Sequence, residues 1–459
     1  MRKIKLILGF IVICSTIAAQ NVGIGTTSPT GKLHIKGAVD TTQLLIDANS
    51  VQSNSKPLIK LRNSTGVELL RIHSDDTSNL FIGRNAGRVN VIDIGNGGYA
   101  NTFTGSSAGY SNTKGFNNTA IGANALYSNT TASWNTAIGT NSLYTQSFSN
   151  SNSPWFSSNV AIGTAALYSN QPTSVTNGIS NTAVGISALY SNTTGNYNVA
   201  CGVDALYSNN TGDDNIAIGL NALYFNASGN NNTAIGSGTL ANNRGSQNTA
   251  LGQGALFYNS GGLNNIAIGY NTGTHPAFPN LTNTIGIGND GVYLHGASNQ
   301  VILGNFSSVF IGGKVNWGIV SDGRIKKDVQ EDVKGLDFIS RLRPVTYHFS
   351  TQAMMAITGT KETPDFVGKY DGEKIKYSGF IAQEVEQAAK ASGYEFSGYD
   401  TPKSEFGLYS IKYAEFVVPL VKAVQEQQAI IEQQGKKIIE QQQQYQDLLK
   451  RIEALEKKN

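Results

Sequence analysis

A mostly β chain is predicted, built as a repetitive parallel β-solenoid or β-roll fibre, followed by a mixed α/β segment that ends in a coiled coil. Three observations predict it. The pentapeptide Asn-x-Ala-Ile-Gly recurs down the middle of the chain, with copies opening at Asn118, Asn135, Asn159, Asn181, Asn198, Asn215, Asn232, Asn248 and Asn265. Charge nearly vanishes over the same stretch: of 34 basic and 31 acidic residues, only seven lie between residues 101 and 320. Apolar residues then return every seven positions through the last 40 or so residues. Self-similarity at a short period means that each unit buries its apolar face only against its neighbours. A sustained heptad means a helix that wants helical partners.

Residues 1–19 open the chain with Arg2, Lys3 and Lys5, an apolar run over residues 6–13, and the small pair Ala18 and Ala19. This reads as a secretory signal peptide, too short to span a bilayer, so the protein is expected to be secreted or held at the cell surface. Cys14 lies inside that leader and follows Val12-Ile13, without the small preceding residue that a lipid-attachment site uses. Cys201 alone remains in the mature chain, so no intrachain disulfide is expected, and its strand position reads as a buried small apolar residue. No later segment has the apolar length of a transmembrane helix. A net charge of +3 gives no reason to expect nucleic acid as a partner.

Residues 20–98 read as a separate N-terminal β-rich section. Val22-Gly23-Ile24, Leu33-His34-Ile35 and Leu58-Ile59-Lys60-Leu61 are short strand patterns between Gly and Pro turns.

Residues 99–320 carry the repeats. Each copy reads as a short strand followed by Ala-Leu-Tyr and a polar turn, as in Ala125-Leu126-Tyr127-Ser128-Asn129-Thr130. Strand alternation puts Thr119 and Ile121 on one face and Ala120 on the other, and Gly122 permits a tight corner or close backbone approach. Most steps are 17 residues, but those from Asn135 and from Asn159 are 24 and 22. The extra residues, Pro154, Trp155 and Phe156 among them, are expected to leave the coil as loops. Tyr127, Tyr168, Tyr190, Tyr207 and Tyr224 occupy equivalent positions and read either as a row facing a surface glycan or protein ligand, or as an internal ladder. The Asn, Ser, Thr and Gly content also suits disorder, but the regular Ile, Ala and Leu positions argue for packing.

Composition changes at Ser321, where a charged segment assigned to residues 321–416 begins. Four motifs follow in order: Ser321-Asp322-x-Arg324-x-Lys326; Leu342-Arg343-Pro344-Val345-Thr346-Tyr347; Gly379-Phe380-Ile381-Ala382-Gln383-Glu384-Val385; and Tyr413-Ala414-Glu415-Phe416 with Pro419-Leu420 and Ala423-Val424-Gln425-Glu426. Over about residues 321 to 440 the chain resembles the intramolecular chaperone domain of endosialidases, a self-cleaving serine peptidase family also found in phage fibres and myelin regulatory factor. The resemblance implies a homotrimer in which Ser321 is the nucleophile and Lys326 its base.

A serine hydroxyl is weakly nucleophilic at neutral pH, so the amine that takes its proton must itself be neutral at that moment. Burial lowers a lysine pKa toward the working range, and a Lys326 left in open water would fail as a base. Residues five apart face apart on a strand and lie off one helical line. Ser321 and Lys326 therefore meet only across a turn, for which Gly323 is suitably placed, or between chains. The expected cleavage is attack on the Val320 carbonyl, giving an ester at Ser321 that water hydrolyses. Asp322 and Arg324 are expected to support the site as an ion pair or turn stabiliser. Taken alone, Ser321-Asp322 also reads as a helix N-cap ahead of Ile325 and Val329, with Lys326 on a solvated face; the downstream motifs favour the dyad. Residues 379–385 read as a packing and folding element.

With Val417 as heptad position a, residues 417–457 give an a series of Val417, Val424, Ile431, Ile438, Tyr445 and Ile452, and a d series of Leu420, Gln427, Gln434, Gln441, Leu448 and Leu455. β-Branched a with Leu d leans toward two strands, so three strands follow from the family resemblance, and the Gln layers would fix register. The alternative is an amphipathic helix docked on its own domain.

These readings point to a secreted trimeric fibre or adhesin-like surface protein whose C-terminal domain directs folding and then releases itself. A non-cleaving structural adhesin is the alternative. A glycan depolymerase would need two carboxylates facing the bond, and residues 101–289 hold no Glu and only Asp204, Asp213 and Asp214. Metal and cofactors are not expected, because His34, His73, His275, His295 and His348 are scattered singly and no helix follows the repeated glycines.

Overall fold

The computed structural model describes residues 22–24, 33–35, 44, 46, 57–93, 95–289, 296–305, 308, 311–312, 314, 318–359 and 369–457. The leader, Cys14 and His295 lie outside the described residues.

One sheet of 15 strands runs through the repeats. It opens with Ile59–Arg62 and Glu68–His73, paired antiparallel to each other, and the second is antiparallel to Leu80–Ile82. From Leu80–Ile82 onward every pairing is parallel, through Thr102–Thr104 and Thr119–Ile121 to Val301–Leu303, with one three-residue strand per coil. The fold is the parallel β-solenoid that the repeat predicts.

Volume decides which face of each strand points inward. Ala120, Ala137, Ala161, Ala183, Ala200, Ala217, Ala234, Ala250 and Ala267 are wholly buried, whereas Ile121, Ile218 and Leu251 are about two-fifths exposed. In the coils from Leu126 to Leu256 the far wall is filled by a Leu, leaving room for only a methyl opposite it. The first coils show the converse exchange. Phe81 and Phe103 take the Ala position, Gly87 and Gly109 take the Leu position, and a Cβ on either glycine would sit 2.8 or 2.6 Å from the ring. The outward column includes Cys201, which is exposed rather than buried because alternation carries its position out of the core.

The Leu wall carries a conformational cost. Leu126, Leu143, Leu167, Leu189, Leu206, Leu223, Leu240 and Leu256 all have φ between +49° and +56°. The left-handed region costs a non-glycine residue roughly 1–2 kcal/mol, and full burial of a leucine returns about 1.5–3 kcal/mol, so the packed coil wins by a small margin at each step. Gly122 is needed for a different reason. Its φ is +133° and a Cβ there would lie 2.7 Å from the Gly139 carbonyl of the next coil.

Two buried asparagine ladders hold successive coils in register. In the first, the Oδ1 of each repeat-opening Asn accepts the backbone N–H of the next at 2.9–3.1 Å, from Asn101 through Asn265. In the second, Asn129, Asn192, Asn209, Asn226, Asn243 and Asn259 each donate from Nδ2 to the preceding rung at 2.7–3.1 Å. Gln146 replaces Asn in the coil with the 24-residue step, and its longer amide bridges Asn129 and Asn170. Pairing the amides avoids the desolvation penalty of an orphaned polar group, about 1–3 kcal/mol each. The inserted residues only partly leave the coil. Trp155–Phe156 pairs in parallel with Ala132–Ser133, burying Trp155 and leaving Phe156 exposed.

His73 sits under the first parallel coil, 1% exposed, with neither ring nitrogen hydrogen-bonded. Desolvation lowers its pKa. The unfolded first strands therefore bind more protons than the folded ones once pH falls below the ordinary histidine value of about 6.5, and their stability is lost in that direction. Amide protection factors over Leu80–Ile82, corrected for intrinsic exchange, are expected to fall between about pH 7 and 5. His73→Phe should hold them level.

The C-terminal segment contains α1 (Leu336–Ile339), α2 (Thr351–Thr358), α3 (Ala382–Ala391) and α4 (Val417–Glu456). Val345–Tyr347 pairs antiparallel with Tyr377–Gly379, and Tyr399–Asp400 with Ser410–Ile411. Phe338, Val385, Ala388, Ala389, Phe396 and Phe416 form its core. The segment meets the last coils where His275 stacks on Phe406 at 4.8 Å and its Nε2 lies 3.0 Å from the Thr358 carbonyl oxygen. Among the described residues no helix is long and apolar enough to cross a membrane.

Candidate functional site

Ser321 and Lys326 are brought together within one chain. A single 3-10 turn, Gly323–Ile325, separates them, and Lys326 leaves it in extended conformation. Lys326 Nζ donates to Ser321 Oγ at 2.8 Å. Asp322 caps the turn by accepting the Arg324 N–H at 2.9 Å, and its carboxylate pairs with the Arg324 guanidinium at 2.6 Å. The Arg324 hydrogen bond holds the Asp322 carboxyl below the usual carboxylate range. No regular helix starts at Ser321, and the capping side chain is that of Asp322.

Geometry and environment diverge at this point. Ser321 and Lys326 are both exposed, and Val320 is 80% exposed. The desolvation that the chemistry demands of Lys326 is not supplied by its own chain.

The other three motifs converge on the core that holds α4. Val345 is the strand partner of Gly379, and Arg343 Nε donates to Glu384 at 3.1 Å, joining the second motif to the third. Tyr413 Oη accepts the Phe380 N–H at 3.1 Å, and Phe416 stacks on Phe380 at 5.4 Å, joining the third to the fourth. Residues 379–385 thus pack, with Ala382 and Val385 buried.

α4 uses two faces. Pro419 and Ala423 are buried, and Glu426, on the same stripe, accepts the Leu336 N–H of α1 at 2.8 Å. The a and d side chains Val417, Leu420, Val424, Ile431 and Ile438 remain about half exposed. Self-docking therefore takes the first turns of the helix and leaves the heptad seam free. Gly335 is the contact that makes this docking close, because a Cβ there would lie 2.8 Å from the Ala423 backbone nitrogen. Gly335→Ala is expected to push α1 off α4 and cost about 1–3 kcal/mol, as overpacking does. A lower midpoint for the C-terminal segment in urea, with loss of amide protection at Leu336, would register it.

Residues 321–394 match the family described as chaperone of endosialidase. This is a family of self-cleaving serine peptidases in general, and here the endosialidase-chaperone segment stands behind a β-solenoid fibre. No curated protein and no solved structure matches the chain.

Elsewhere the structure decides what the tyrosines offer. Tyr110, Tyr127, Tyr144, Tyr168, Tyr190, Tyr207 and Tyr224 stack at 4.9–5.1 Å and within 14° of parallel. Neighbouring rings occupy the faces along this half-buried ladder, leaving edges and hydroxyls for solvent. Among the described residues no group of His, Cys, Asp and Glu could hold a metal ion. A cavity of about 410 Å³ lies at the joint with the last coil, lined by His275, Gln300, Thr358, Lys403 and Phe406 among others. Glu426 and Gly335 are the residues that sequence reasoning missed. Glu426 belongs to the fourth motif, but only its off-seam heptad position hinted at a separate role.

Proposed function

We propose that this is an exported homotrimeric fibre or adhesin whose endosialidase-chaperone segment guides assembly and then cuts itself away at Val320–Ser321. The observation that carries the reading is the 2.8 Å approach of Lys326 Nζ to Ser321 Oγ, in the segment that matches the family. α4 supplies assembly through its exposed apolar seam, as a three-stranded coiled coil. A helical tail associates quickly, whereas stacked parallel coils nucleate slowly and expose strand edges while they wait. Joining three chains at one end raises their local concentration.

In the assembled trimer, neighbouring chains bury the turn that carries Ser321 and Lys326, and the desolvated Lys326 amine becomes a base. Ser321 Oγ gives its proton to Nζ and attacks the Val320 carbonyl carbon. The C–N bond breaks, the proton passes to the departing Ser321 nitrogen, and Val320 is left as an ester on Oγ. Water then hydrolyses the ester, freeing the Val320 carboxylate and restoring the Ser321 hydroxyl. Removal of the helper leaves a stalk held by its barrier to unfolding.

Light scattering of the purified native protein should give the mass of three chains, and a denaturing gel should show two fragments divided near residue 320. The exposure of Lys326 favours a second reading, a fibre that trimerises without cutting, for which the gel would show one intact band.

A further inference from the structure

Resting on the trimeric reading, we propose that the outward face of the solenoid sheet is the surface through which three copies of this chain pack, parallel and in register, along the whole stalk. Each coil presents two outward strand positions. One column runs Thr182, Val199, Ile216, Thr233, Thr249, Ile266 and the other Val184, Cys201, Ile218, Ile235, Leu251, Ile268. Neither column contains a charged residue from Thr102–Thr104 to Val301–Leu303. Ile216, Ile218, Ile266 and Ile268 are each 38–40% exposed, and Ile186, Val203 and Leu220 extend the patch beyond the glycine corner at 41–55%.

With a rise of about 4.8 Å per coil and about 3.3 Å per strand residue, the face measures about 60 by 10 Å, or roughly 600 Å² before its flank is added. Shared between two neighbours this is about 300 Å² per contact, less than the roughly 800 Å² of a stable pairwise interface, so the face adds to the assembly that α4 supplies; its whole extent stands at the upper end of what a monomer ordinarily leaves bare. The occupant must be equally long, uncharged and of the same pitch, and a second copy of this chain meets all three conditions. Parallel orientation follows because every copy carries α4 at the same end of the chain.

Cys201 is the native reporter, at the middle of the face and in register with Ile218. In the full-length native protein its peptide, followed by mass spectrometry, is expected to take up maleimide roughly two orders of magnitude more slowly than Thr211→Cys, as for a site reached only by local opening. Thr211 is exposed on a turn of the same coil. Ile218→Lys should bring Cys201 up to the control rate while the circular dichroism of the coils is kept, because Ile218 packs nothing inside. A native trimer in which Cys201 labels as fast as the control overturns the assignment of this face and leaves the trimer standing. A native mass of one chain overturns the trimeric reading and this inference with it.

Discussion

A Ser321→Ala chain is expected to run as a single full-length band under conditions where the wild type resolves into two fragments, and to assemble to the same number of chains as the wild type. The substitution removes one oxygen from an exposed side chain, so the fold loses only the surface bond from Lys326, and a complete loss of processing reports on chemistry. Lys326→Met should slow processing by roughly 10²–10⁴-fold, the usual worth of a positioned general base, because a thioether fills much of the same space but accepts no proton. Lys326→Arg is the sharper comparison. A guanidinium keeps the charge and still reaches Oγ but does not give up its proton, so it should fail as Met does. If Lys326 merely tied down the turn through its bond to Ser321, Arg would restore processing. The Asp322–Arg324 pair offers a contrast: Asp322 caps the turn through the Arg324 backbone N–H, which Arg324→Ala keeps, so that change should lower the rate only as far as loss of the guanidinium loosens the approach of Nζ to Oγ.

Much of this molecule is readable from its residues, and the unreadable parts share a cause. A parallel stack with one strand per coil follows from the repeated Asn-x-Ala-Ile-Gly step, since every copy makes the same local demand. Which strand face points inward does not follow, because period-two alternation is symmetric between faces. The choice rests on the volume of Leu126 across the coil, and Cys201 was misplaced for that reason. The exchange of Phe103 with Gly109 for Ala120 with Leu126 is visible once the coils are aligned. At the site, the resemblance names Ser321 and Lys326, and the five-residue spacing leaves either a turn at Gly323 or a meeting between chains; the structure takes the turn. Burial of Lys326, which the chemistry asks for, is not met within the chain, where the residue is exposed. The heptads located the seam of α4, but the bond from Glu426 to Leu336 spans 90 residues and leaves no periodic trace.

Asn215→Asp exchanges one amide nitrogen for oxygen and should nonetheless be among the most damaging single changes in the fibre. Asn215 is wholly buried. Its Oδ1 accepts from the Asn232 backbone at 3.0 Å and from Asn232 Nδ2 at 3.1 Å, while its own Nδ2 donates to Asn198 Oδ1 at 3.1 Å and to the Gly229 carbonyl at 2.8 Å. A carboxylate keeps the first pair of contacts and turns the second pair into oxygen facing oxygen. The new negative charge has no cation nearby on the ladder, and an unpaired charge in that setting is expelled by raising its pKa. A folded pKa above the unfolded value of about 3.9 makes the penalty full at neutral pH and relieves it as the carboxyl is protonated, when it can again donate to Gly229. Asn215→Ala sets the scale for losing the amide without adding charge. It orphans the Asn232 N–H, at about 1–3 kcal/mol, and opens a small cavity, whereas Gly229 still accepts from Asn226 Nδ2 at 2.9 Å. Because coils couple to their neighbours and not to the whole fibre at once, the loss should appear as lowered amide protection spreading outward from the coils of Asn198 and Asn232. At neutral pH the Asp variant should fall well below the Ala variant, and by about pH 4 the gap should narrow. Equal protection of the two variants at both pH values would mean that water enters the ladder and that its amides are not what keeps the coils in register.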